Sequence, residues 1–210
     1  MGIGFMALKI KKEFMCLNKE NLIKKAKENA INNIKELGGI SYLCVFKALY
    51  DMLETDIPYE AVKLLTGFTL GVGLSGNICA ALLSGIAVLG LVYGRVSPMG
   101  DLEKRKFRDI VKNETLSAKD KARLLLSMSK ELFIYNQLVN RFKRKFGSLL
   151  CSDLWSDWKE NPICIARFKR CHEIIVETAG MTMELLLDAN EKGLTSLPVG
   201  DTVYSYLFAE

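Results

Sequence analysis

Apolar side chains recur at helical spacing along most of the chain, the pattern of helices that bury one face. From Asn18 to Leu37, the residues Leu22, Ile23, Ala26, Ala30, Ile31, Ile34 and Leu37 make one stripe between lysines and asparagines, and Gly38-Gly39 ends it. Ser41 is placed to cap a second helix reaching Glu54, with Leu43, Val45, Phe46, Leu49, Met52 and Leu53 on its apolar side. Cys44 then lies in its first turn, at the third position. Thr55 or Asp56 starts a third helix to Thr66, with Pro58 in its first turn. An uncharged helix from Ile78 to Tyr93 follows a glycine-rich turn. The polar run from Arg95 to Thr115 reads as a connection with a short helix at Leu102 to Val111. Ser117 and Asp120 form a capping pair for a long helix to Phe146. Gly147 breaks it, and Ser148 caps a further helix with Cys151 at its third position. Asn161-Pro162 opens the last helix, which runs to Asn190 and carries Cys164, Cys171 and His172.

The pattern predicts an all-α fold: a single-domain bundle of about six or seven helices around the buried Ile78–Tyr93 helix. A basic segment, residues 1–17, precedes the helical domain at 18–192, and a tail at 193–210 follows it. The tail is aromatic and partly β-prone, an arm suited to packing on the domain or on a partner. Leu64 to Gly94 holds no charge, longer than the roughly 18 apolar residues that flag a spanning helix. Gly71, Gly73 and Gly76 cut that stretch, and what remains is short for a span. The expectation is therefore a core helix and no membrane partner. Its small residues or the tail could support a homodimer.

Composition changes the picture little. The chain has 210 residues, 50% apolar and 25% charged, with a net charge of +5 that is too mild to imply nucleic acid. The run Arg141, Lys143, Arg144, Lys145 reads as the solvated C-terminal face of a helix. The opening MGIGFMALKIKKEFM lacks the order of a signal peptide, and Met6 stands where a myristoylation pattern after Gly2 wants Ser or Thr. A cytoplasmic location is expected, where cysteines serve more often as ligands or redox thiols than as structural disulfides.

Six cysteines are present, with no CxxC pair. Cys44, Cys79 and Cys151 fall where helices begin, and N-terminal N–H groups favour a thiolate and can bond to cluster sulfides. If those helix ends converge, they line a pocket that Cys171 closes. The competing reading is that each is a small buried hydrophobe. Gly71-Val72-Gly73-Leu74-Ser75-Gly76 matches GxGxxG, but no strand precedes it and no strand–helix alternation follows, so a turn bringing backbone near a cluster is the better reading. On that reading Gly73 and Gly76 contribute to cofactor binding. Cys164 and His172 are weaker ligand candidates, Cys16 is unrelated, and Trp155 with Trp158 reads as core packing. No nucleophile triad, HExxH or diagnostic carboxylate pair occurs.

Taken in order, Cys44 in ISYLCVFKAL, the glycine run into CAALLSGIAVLGLVYG, FGSLLC ending at Cys151, and CHEIIVETAG from Cys171 form a recognisable series. The series resembles the C-GCAxxG-C-C family of redox-active proteins, over Asn29 to Gly180. The chain departs at the central motif, where Ile78, Ala80 and Ser84 replace glycines or their neighbours. The resemblance implies a helical, redox-associated protein whose four cysteines bind a metal cluster or exchange disulfides. A similar domain accompanies haem in split-Soret cytochromes, but no CxxCH is present here for covalent haem. The expected function is electron transfer or redox sensing. It would use an iron–sulfur cluster, 2Fe–2S among the candidate types, held by Cys44, Cys79, Cys151 and Cys171. A redox partner protein is implied. The alternatives are a metal-free thiol–disulfide protein using the same residues, and a non-redox binding or membrane-associated module.

Overall fold

The computed structural model of the chain describes residues 8–95, 100–129 and 131–194. Gly2, Met6 and all of the tail from residue 195 lie outside the described residues. The described part is all-α, and its only β pairing consists of isolated bridges at Ile10–Leu53 and Ile78–Leu150.

Helix α1 (Lys19–Leu37) starts where Asn18 accepts the Asn21 N–H at 2.9 Å and stops at a left-handed Gly38. Helix α2 (Ser41–Tyr50) is shorter than its apolar stripe suggests. Beyond Tyr50 the chain turns, and Leu53 leaves helix to pair with Ile10, while Glu54 N–H bonds to the Lys9 carbonyl at 2.9 Å. Ser41 is the first helical residue, not the cap, so Cys44 moves to the fourth position. The third predicted helix is a 3-10 helix, Tyr59–Phe68, extended for that geometry.

Helix α3 (Ala80–Tyr93) is apolar around its whole circumference; one face is buried, and the face at Leu83, Ile86, Ala87, Gly90 and Leu91 is half-buried. It packs against α2, against α6 (Glu131–Phe146) and against α8 (Ile165–Lys192). The last of these shares the centre, since α8 also packs against α1 and α2. Between α3 and α6 lie α4 (Asp101–Lys112) and α5 (Ala118–Ser127), which pack on each other and bury no residue fully. The long helix expected from Ser117 to Phe146 is thus two helices. Ser117 caps α5 by accepting the Asp120 N–H at 3.1 Å, but the run Ser127-Met128-Ser129 closes it with a tightened turn. A short α7 (Cys151–Leu154) precedes α8. Splitting one helix in two accounts for most of the excess of eight α-helices among the described residues over the predicted number.

Polar ties at buried positions fix the helices relative to one another. Ser84 Oγ donates to the Tyr42 carbonyl at 2.7 Å, Asn33 to the Cys44 carbonyl at 3.2 Å, and the Tyr93 hydroxyl to the Leu186 carbonyl at 3.2 Å. Around the rim, Glu177 pairs with Lys27 and Lys145, and Asp188 with Lys19 and Arg141. Desolvation opposes the ionisation of both carboxylates, but these cations hold each below the usual range. Arg141 and Lys145, part of the basic run, are therefore spent on α8.

Gly85 is where α3, α6 and α8 come closest. A Cβ there would meet Thr182 Oγ1 at 2.6 Å, Leu138 Cδ2 at 2.9 Å and Thr178 Cγ2 at 3.2 Å. Alanine normally improves a helix interior by about 1 kcal/mol over glycine. Here overpacking outweighs that gain, and Gly85→Ala is expected to lower stability by about 1–3 kcal/mol. A urea midpoint that rises in this variant would contradict the close three-helix contact.

Candidate functional site

Two chain segments far apart in sequence meet just before α3 and α7. Ile78 and Leu150 form an antiparallel bridge. On either side of it, Cys79 N–H donates to the Leu149 carbonyl at 2.9 Å, Cys151 N–H to the Asn77 carbonyl at 2.6 Å, and Ser152 N–H to the Gly76 carbonyl at 2.9 Å. In such a ladder Cys79 sits opposite Leu149, so Cys151 is its diagonal neighbour on the same face. The local chain supports this. Leu70, Gly71, Val72, Gly73 and Leu74 all take positive φ, between 53° and 76°, reversing the chain in a left-handed coil before Asn77. For Leu70, Leu74 and especially β-branched Val72 that region is strained.

Each helix start presents its cysteine differently from the sequence expectation. Cys79 is itself the N-cap of α3, and Cys151 is the first residue of α7. Neither Ser41 nor Ser148 caps a helix: Ser148 Oγ accepts the Leu150 N–H at 3.1 Å and donates to Asp153 at 2.7 Å, shaping the turn before α7. Cys171 comes from within α8, its thiol half-buried like that of Cys151. Cys79 and Cys44 are buried.

The electrostatics group three of the four. Burial is the first cause of a raised thiol pKa at every one of them. Cys79 is pushed up to about 12, and neighbouring Cys151 and Cys171 add to the rise. The Ala81 and Leu82 N–H groups oppose it, although neither completes a capping hydrogen bond to the sulfur. At Cys151 the Trp155 indole N–H and the Arg167 guanidinium favour the anion; at Cys171 Arg167 and Arg170 do. Cys44 is raised to about 11 by burial, opposed by the Gly39 N–H. It faces a different neighbourhood, since Tyr59 senses its charge. Gly39 links the two regions, for a Cβ on it would lie 2.8 Å from Nε2 of His172, the residue after Cys171.

The remaining candidates separate. Gly76 supports α7 through its carbonyl, and a Cβ there would stand 3.1 Å from the Ser152 Cβ; around Gly73 a Cβ would meet nothing within 4 Å. No strand precedes the GxGxxG run among the described residues. Cys164 is the N-cap of α8 and not within it, and Cys16 is exposed. Trp155 and Trp158 are half-buried at the surface instead of in the core. Sequence reading missed Arg167 and the role of Trp155. The available signal was spacing: Arg167 precedes Cys171 by one helical turn, and Trp155 follows Cys151 by the same interval.

Among the described residues, no three His, Cys, Asp or Glu side chains are gathered closely enough to hold a single metal ion. The donors that do come together are soft thiols near peptide N–H groups, of the kind that suit soft metal centres. Also among the described residues, no helix is long and apolar enough to cross a membrane.

The raised thiols make stability depend on pH. Their folded pKa values exceed the ordinary 9.0, so the unfolded chain loses these protons first. The stabilisation is whole below about pH 9 and disappears as pH rises toward 11 and 12, by up to about 1.4 kcal/mol per pH unit per thiol. Urea unfolding between about pH 8 and 11 is expected to show a shallower fall for Cys79→Ser than for the unaltered protein. Equal slopes would mean that the Cys79 thiol is not buried.

No curated protein and no solved structure matches this chain. A family model described as "Putative redox-active protein (C_GCAxxG_C_C)" matches residues 43–185, a span that holds all three of the mutually influencing cysteines and Cys44, and the chain belongs to that family.

Proposed function

We propose that the protein transfers electrons or senses redox state through an iron–sulfur cluster. Cys79, Cys151 and Cys171 hold it, with Cys44 as the fourth donor from the adjoining start of α2. The supporting observation is the electrostatic coupling of three thiols drawn from three separate segments, two of them joined by the Ile78–Leu150 bridge. A single tetrahedral ion draws its thiolates to about 2.3 Å from one point. In a cluster of several irons, by contrast, the ligands bind different atoms.

The cluster, when bound, supplies a one-electron carrier. The protein's own residues do the rest. Ala81 and Leu82 turn N–H groups toward sulfur, the Arg167 and Arg170 guanidinium groups offset negative charge, and the apolar wall of α3 excludes water. Thiols this weakly acidic give up their protons chiefly in exchange for metal, so loading becomes more favourable as pH rises.

The metal-free thiol–disulfide reading draws on the diagonal placement of Cys79 and Cys151. The two thiols are free, and each stands at the start of its own helix. A Cys79 thiol pushed up to about 12 is also scarce as the attacking thiolate. The cluster reading is therefore the stronger.

Anaerobic loading with ferrous iron and sulfide is expected to give visible absorbance and bound iron. Serine at Cys79, Cys151 or Cys171 should cut iron retention by more than about tenfold, and serine at exposed Cys16 should leave it unchanged. A colourless, iron-free product with a reversible Cys79–Cys151 link would establish the second reading instead.

A further inference from the structure

Arg167 stands out among the cations of the molecule. It lies in the first turn of α8 with its guanidinium 5.1 Å from the centre of the Trp155 ring and 5.7 Å from that of Phe168. Nη1 donates to the Pro162 carbonyl at 2.7 Å. Its Nε–H is buried and has no acceptor. Among the described residues no carboxylate lies within ion-pair distance of it. Arg170, one turn on, has the opposite environment: Nη1 pairs with Glu173 at 2.8 Å, and the group rests over Phe146. A fixed, partly buried positive charge with an orphaned donor is costly unless an anion completes it.

Its charge acts on two thiols of the site, favouring the anion at Cys151 and at Cys171. Trp155 bears on both: its ring carries Arg167, and it favours the anion at Cys151. On α8, Arg167 and Cys171 are one turn apart on a shared face. We propose that Arg167, clamped on Trp155, is the dedicated counter-charge of the cysteine centre, and that its free Nε–H is held for the anionic sulfur of the working state. The inference rests on the redox reading above and names the residue that sets its electron affinity. One electron from an external one-electron donor makes the centre one charge more negative, with no bond made or broken. A guanidinium at fixed distance favours that state, so Arg167 raises the potential. Arg170 contributes less because Glu173 already balances it.

The test compares the full-length unaltered protein with Arg167→Gln, Arg167→Lys and Arg170→Gln, by two readouts. In the iron-loaded proteins, potentiometric titration with dithionite is expected to show about a tenfold loss of electron affinity in Arg167→Gln, ~59 mV for one electron. Arg167→Lys should recover part of the loss, and Arg170→Gln should shift clearly less. In the metal-free proteins, iodoacetamide at fixed pH should label Cys151 and Cys171 several-fold more slowly in Arg167→Gln, read by mass spectrometry. Unchanged or faster labelling together with an unchanged potential overturns the proposal, as does an equal shift in Arg170→Gln. If the unaltered protein takes up iron and electrons in neither form while labelling still slows, the redox reading fails and the pairing of Arg167 with sulfur stands. If Arg167→Gln does not fold, Arg167→Lys and Arg170→Gln decide: a loss of electron affinity in Arg167→Lys that is below about tenfold but larger than that in Arg170→Gln supports the proposal, and a loss no larger than that in Arg170→Gln, or one of about tenfold or more, overturns it.

Discussion

The site depends on a very small piece of β structure. Three backbone hydrogen bonds around the Ile78–Leu150 bridge join the entrance of α3 to the entrance of α7. Without them, Cys79 and Cys151 would belong to two loops separated by 72 residues of sequence. With them, the two cysteines share one face of a short pairing, Cys79 as the N-cap of α3 and Cys151 as the first residue of α7. The strained left-handed coil at Leu70–Leu74 follows from this requirement. The chain must reverse sharply to arrive at Asn77 in an extended conformation, and the backbone bonds to α7 hold it there.

Burial then gives the site its character. In an exposed pocket, helix N-termini and arginines would make acidic thiols; here desolvation outweighs both, and every grouped thiol becomes a weaker acid than in water. The two effects act at different moments. Desolvation keeps the thiols neutral and unreactive while no positive centre is bound. The N–H groups and guanidinium groups favour the anion, so they gain importance once one is.

Much of this was legible from the sequence, and where it was not the reason is physical. Helical periodicity located α1, α3, α4 and α8 closely, because their apolar stripes and end residues agree. The second helix was overextended because Met52 and Leu53 are buried by bridge pairing with the N-terminal segment, which helical spacing cannot distinguish from burial in a helix. The long helix was not divided because leucines continue the stripe across Ser127-Met128-Ser129, although α5 packs on α4 and α6 on the core. Cysteines were correctly placed near helix starts, but their positions within the caps were shifted by two residues or fewer, and that shift decides which N–H groups face the sulfur.

Arg167 and Trp155 show why a cap-based reading of a thiol site is incomplete. Pattern reading assigns tryptophan to the core and arginine to the surface, since each usually goes there. Here the ring lies at the margin and the cation lies on it. A lysine would hold the same charge without the planar contact that fixes its direction. Two opposing effects therefore meet at these thiols: burial disfavours their ionisation, and the Arg167 guanidinium favours it. The balance between them is set by how closely the guanidinium is held to the ring, which makes the packing of Trp155 part of the electrostatics of the site.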